Sequence, residues 1–169
     1  MVMLKNYTTN KNYIRTIGEI EQVLAGIGAK MIMKDYDEFG AVKALSFVIP
    51  FKGRDIPIRL PARVDRIPGA LRHHFNNNKD LSSSQKSLIK KAMTNVDHGR
   101  NIGWRIIQDW LEAQIAIMQL DQINMLEALL PFTTWNKNGE TLYELLERND
   151  FNLPKLGKTL LVEDKSEGQ

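Results

Sequence analysis

The chain contains no cysteine, which excludes disulfides, thiolate zinc sites and a cysteine nucleophile. No apolar run reaches the roughly 18 residues of a membrane-spanning helix. Neither glycine-rich phosphate signature, G-x-G-x-x-G nor G-x-x-x-x-G-K-[ST], occurs, and H-E-x-x-H is missing too, so the common sequence bases for a nucleotide or zinc-hydrolase site are absent. Histidine is scarce, with His73, His74 and His98 only. On a helix the adjacent pair would point about 100° apart, which suits surface or phosphate-contacting roles better than shared metal ligation. The first residues, MVMLKNYTTNKNY, lack the apolar segment and cleavage site of a secretory signal, so the expectation is a cytoplasmic protein. No cofactor, metal site or catalytic residue is expected.

What is present is an ordinary globular composition with an uneven charge. Its 169 residues, 43% of them hydrophobic, are enough to bury roughly two-thirds of the unfolded surface in one domain. That domain is placed at residues 1–155, followed by a flexible polar tail at 156–169. Residues 52–100 hold eleven Lys/Arg against four Asp, whereas residues 101–169 hold six basic against eleven acidic side chains. A basic middle and an acidic last third suggest attraction to a polyanion, or to a partner with matching patches.

Local patterns predict an α+β fold, a three-stranded antiparallel sheet packed against a helical layer. Ile14, Ile17, Ile20, Leu24 and Ile27 have helical spacing. Thr16-x-x-Glu19 reads as a capping box for this helix, with an alternative start a turn earlier near Thr9. Three alternating runs follow, carrying Met31 and Met33, then Leu45, Phe47 and Ile49, then Ile56, Ile58 and Leu60, with turns at DEFG and FKGR. Pro57 has no amide hydrogen, so the third run is expected to be an edge strand or to present that position outward. A helix opening at Pro68 comes next, and Ser82-x-x-Gln85 begins a long helical region with a break expected near Gly99. Within it, Ile106, Trp110, Ala113, Ile117 and Leu120 form the expected buried stripe, and Arg105 with Asp109 an i,i+4 ion pair. Trp104 and Trp110 are expected in a central core helix. A short helix at about 122–130, an NKNG turn and a last helix capped by Thr141-x-x-Glu144 complete the pattern.

The candidate binding residues for nucleic acid or a partner are Arg59, Arg63, Arg66, Arg72, Lys79, Lys86, Lys90 and Lys91. Such cations neutralise phosphates without reading sequence, and the binding they give weakens steeply with salt. Asn76, Asn77 and Asn78 could add hydrogen bonds. Two carboxylate sets are candidates for chemistry: Asp35, Asp37 and Glu38 as ligands of a nuclease metal, and Asp109 with Glu112 as an acid–base pair. Turn chemistry explains the first and solvation the second.

The helix–strand–strand–strand–helix order resembles the double-stranded-RNA-binding domain in topology. That family's glycine-proline loop and Lys-Lys-x-Ala-Lys helix start are missing, and KKAM at 90–93 lies too far along the chain, so none of its residues carries over. A broader similarity, over about residues 14–148, rests on IRLP at 58–61, GWRIIQDWLEAQIAI at 103–117, and LLPF followed by TLYELL at 129–146. In these the chain resembles small accessory proteins of phages and prophages of Gram-positive bacteria, a group that includes anti-CRISPR inhibitors. The resemblance implies a non-enzymatic protein acting on nucleic acid or a nucleic-acid-handling complex, with a CRISPR effector nuclease as the candidate target. In that setting the acidic third could mimic phosphate. The alternatives are a DNA-binding protein of phage replication or recombination, and a metal-dependent nuclease using Asp35 and Asp37.

Overall fold

Asn12 starts the first helix: its side-chain oxygen accepts from the Ile14 amide at 2.8 Å, satisfying a donor that the helix itself leaves open. The computed structural model describes residue 6 and residues 8–78 and 80–152. Its helices are α1 (Tyr13–Gly26), α2 (Ile67–Asn77), α3 (Ser83–Thr94), α4 (Val96–Gln119), α5 (Met125–Leu129) and α6 (Leu142–Arg148). Its strands are β1 (Lys30–Tyr36), β2 (Val42–Phe51) and β3 (Arg54–Pro61), and short 3-10 turns occupy Val64–Arg66 and Leu130–Phe132. Thr16 is therefore not a cap. It lies fully buried inside α1, because the helix begins a turn before the Thr16-x-x-Glu19 pattern. The expected tail at 156–169 lies outside the described residues.

The strands form an antiparallel meander in the order β1-β2-β3, so the domain is α+β as the pattern predicts. Leu45, Phe47 and Ile49 face Leu60, Ile58 and Ile56 across the β2–β3 ladder. The turn between these strands places Lys52 and Gly53 both at positive φ, +48° and +78°, the two-residue arrangement whose twist suits a hairpin. β3 is an edge strand, one of the two placements that Pro57 allows. Its carbonyl nonetheless accepts from the Thr134 amide at 2.9 Å, which brings a late segment of the chain alongside the sheet.

One face of the sheet packs on α1 and α4, burying Ile17, Ile20, Leu24, Trp104, Leu111 and Ile115 with the inward residues of β2 and β3. A second, smaller core joins α2, α3 and the start of α4 through Leu71, Leu81, Ile89, Ala92 and Ile102. Helix α4 thus serves both cores. Its start differs from the expectation: the break falls at Asn95, whose side chain accepts from the His98 amide at 3.0 Å, and Gly99 lies buried inside α4.

The buried stripe of α4 also differs. Trp104, Gln108, Leu111 and Ile115 face inward, whereas Ile106, Ile117 and Leu120 of the expected stripe are exposed, Leu120 at 70%. Both stripes have helical spacing. Gln108 interrupts the apolar pattern of the inner one, yet it is satisfied there: its amide donates to Glu19 at 3.1 Å and to Glu112 at 2.8 Å, and its oxygen accepts from Arg105 at 3.0 Å. Trp104 is fully buried and belongs to the core. Trp110 is half-buried and meets Phe132 edge-on, at 5.3 Å between centroids.

Candidate nucleic-acid and partner interface

The predicted basic residues separate into two groups. Arg59 and Arg63 are engaged within the fold. Arg59 projects from the outer face of β3 and its Nε donates to Asp35 Oδ2 at 3.0 Å. Arg63, just after β3, lies over the Tyr143 ring at 5.9 Å and has Glu144 Oε1 4.0 Å away. Each therefore has a carboxylate partner within the fold.

Arg66, Arg72, Lys86, Lys90 and Lys91 are exposed, and none has an ion-pair partner among the described residues. Arg66 ends the 3-10 turn that leads into α2, Arg72 lies on α2, and the three lysines lie on α3. The hairpin exists because Leu71 and Ile89 bury their side chains together in the small core, with Phe75 packed at its edge. A capping box at Ser82 and Gln85 fixes the start of α3. Lys86 and Lys90 are four residues apart, about 6 Å along the axis and on one face. Lys90 Nζ also lies 5.8 Å from the centre of the Phe75 ring, the range of a cation–π contact. Lys79 lies outside the described residues.

Among the described residues the stretch from 66 to 94 exposes five basic side chains and one acidic, Asp80, so the exposed surface of this hairpin is cationic. His73 is exposed there and shares a 2.9 Å hydrogen bond with Asn77. His98 is not at the surface: it is buried at the start of α4, where the helix turns back towards the small core.

Asp35, Asp37, Asp109 and Glu112 all have partners within the fold. Asp37 Oδ1 accepts from the Phe39 and Ala41 amides at 2.9 and 2.8 Å, closing the β1–β2 turn, and its other oxygen is 3.6 Å from Arg100. Asp109 pairs with Arg105 at 3.2 Å. Among the described residues no three His, Asp or Glu side chains gather as metal ligands. In the acidic third, Glu127 and Glu144 close capping boxes, and Glu140 takes two 3.0 Å hydrogen bonds from Arg148.

The outer face of the sheet holds a feature absent from the sequence-based expectations. A cleft of about 980 Å³ lies over it, with Met33, Ser46 and Arg59 on its floor and Asn136, Glu140 and Arg148 among its walls. Met33, Ser46 and Arg59 are register partners across the three strands. Strand alternation alone assigns them to one face. The wall is formed by the turn after Thr134, whose return to β3 no local pattern announces.

Among the described residues no helix is long and apolar enough to cross a membrane. Comparison of the chain with protein-family models, with curated proteins and with solved structures gives no match.

Proposed function

We propose that this chain is a non-catalytic binding protein that engages nucleic acid, alone or within a nucleic-acid-handling complex, through the exposed surface of the α2–α3 hairpin. The observation that carries this reading is the set of five exposed cations, Arg66, Arg72, Lys86, Lys90 and Lys91, without ion-pair partners among the described residues. Unpaired cations on one small structural unit release counterions when they meet phosphates, which yields affinity without sequence readout. Arg59 and Arg63 stand outside the interface because they lie on and just after β3 rather than on the hairpin, and Asp35 and Glu144 already offset their charge. The non-catalytic part of the reading is supported by the engagement of Asp35 with Arg59 and of Asp37 with its own turn.

Inhibition of a CRISPR effector in a phage setting is the specific role proposed within this reading, with the hairpin competing for guide or target nucleic acid. Phosphate mimicry by the acidic third has weaker support, since Glu127, Glu140 and Glu144 are taken up by caps and Arg148. The test is fluorescence anisotropy of labelled duplex DNA, single-stranded DNA and RNA at about 50 and 200 mM salt. Salt-steep binding to one of them supports the reading. Absence of binding to all three at low salt overturns direct contact and moves the search to a guide-loaded nuclease.

A further inference from the structure

Arg59 is half-buried on the cleft floor and held by one edge only. Asp35 Oδ2 accepts a hydrogen bond from its Nε–H, and Ser46 Oγ lies 3.4 Å from the same carboxylate oxygen. The terminal nitrogens, Nη1 and Nη2, carry no hydrogen bond among the described residues. A guanidinium fixed along one edge presents its remaining donors as a ready fork, the geometry that matches a carboxylate or phosphate. Restraint by Asp35 also lowers the entropy lost when an anion docks.

The other polar groups of the cleft point the same way. Four basic side chains line it against three carboxylates, and each carboxylate is already engaged. Asp35 is held by Arg59. Both oxygens of Glu140 accept from Arg148, and one also from Asn136 at 2.9 Å. Glu144 Oε2 accepts from the amide and hydroxyl of Thr141 at 2.9 and 3.0 Å. The unspent capacity is therefore donor capacity, on Arg59 and on exposed Lys43. The volume, about 980 Å³, is at the upper end of small-molecule sites, and Met33 and Val48 add apolar floor beside Arg59.

We propose that this cleft is a second binding site, separate from the hairpin, for a small molecule bearing a carboxylate or phosphate group. The anionic group sits on the Nη1/Nη2 fork of Arg59, Lys43 assists from the rim, and the less polar part of the ligand lies along Met33 and Val48.

The test follows arginine Nε–H signals of the ¹⁵N-labelled protein by NMR during separate titrations with inorganic phosphate and with acetate. Sodium chloride at matched ionic strength is the control, and Arg59→Lys assigns the signal by its loss. The expected result is a saturable shift of the Arg59 signal with phosphate or acetate and none with chloride. The stronger of the two identifies the ligand group. Lys43→Gln changes an exposed residue and keeps the test open if the Arg59 variant does not fold. It should weaken the response about two- to fivefold, the worth of one exposed charge. A flat Arg59 signal, a response equal in chloride, or a response confined to other arginines overturns the proposal.

Discussion

Gly103 of α4 sits directly against Ile67 at the start of α2: a Cβ at position 103 would lie 2.7 Å from Ile67 Cδ1 and 3.0 Å from Val64 Cγ1. This close approach seats the basic hairpin on the helix that also carries the main core. A Cβ at Gly99, one turn earlier, would meet no atom within 4 Å among the described residues beyond its chain neighbours and its own helix backbone. Ala at 99 should therefore stabilise the protein by about 0.5–1 kcal/mol through the lower entropy of its unfolded chain. Ala at 103 should cost about 1 kcal/mol, the lower end of overpacking, because the end of Ile67 can rotate while branched Val64 cannot. Denaturant midpoints of the two variants check the opposite signs.

The small core is what makes the hairpin a unit. Ile89 is fully buried in it, and Ile89→Ala should cost about 2–5 kcal/mol. Hydrogen exchange should show α2 and α3 losing protection before the sheet does. Equal loss in β2 would mean that the two cores unfold as one.

Acid should loosen the contact between α1 and α4. Lys11, hydrogen-bonded to Glu19, and then the Gln108 amide hold the Glu19 carboxyl below its ordinary value. A carboxyl depressed in the folded state adds stability above its unfolded value and loses it as pH falls through the folded one. Stability should fall below about pH 5, where an unperturbed glutamate begins to take up protons, and Glu19→Gln should flatten that decline while leaving the curve near neutrality lower. Denaturant titrations at a series of pH values read both effects.

Trp104 is fully buried, and its indole N–H has no hydrogen-bond partner among the described residues. Replacement by Phe removes an unsatisfied donor that costs about 1–3 kcal/mol, offsetting much of the lost packing, whereas Trp104→Ala should cost about 3–5 kcal/mol. Comparing the two melting curves separates the donor from the volume.

Much of the fold was legible because its signals are local. Alternation in β2 and β3, the Ser82 and Thr141 capping boxes and the turn chemistry of Asp37 all survive folding. The inner face of α4 was not legible, because Gln108 looks polar until Glu19, eighty-nine residues away, supplies its partner. The candidate site was half legible. Charge counting found the cations of the hairpin, but no count shows that Asp35 lies 3.0 Å from Arg59 or that the chain returns after Thr134 to wall a cleft.

The most direct test of phosphate binding by the hairpin is the slope of log affinity against log salt, measured with the nucleic acid that binds most tightly. The slope is about −0.9 for each phosphate neutralised on duplex DNA. With the four of the five cations that lie on the two helices engaged, Arg72, Lys86, Lys90 and Lys91, it should be about −3 to −4. Reversing those four residues to Glu should abolish binding, while Arg59→Gln and Arg63→Gln should leave affinity within about twofold, as expected for cations already paired. Unchanged slope and affinity in the four-residue variant, with loss in the Arg59 or Arg63 variants, would contradict the assignment and place the interface on the sheet.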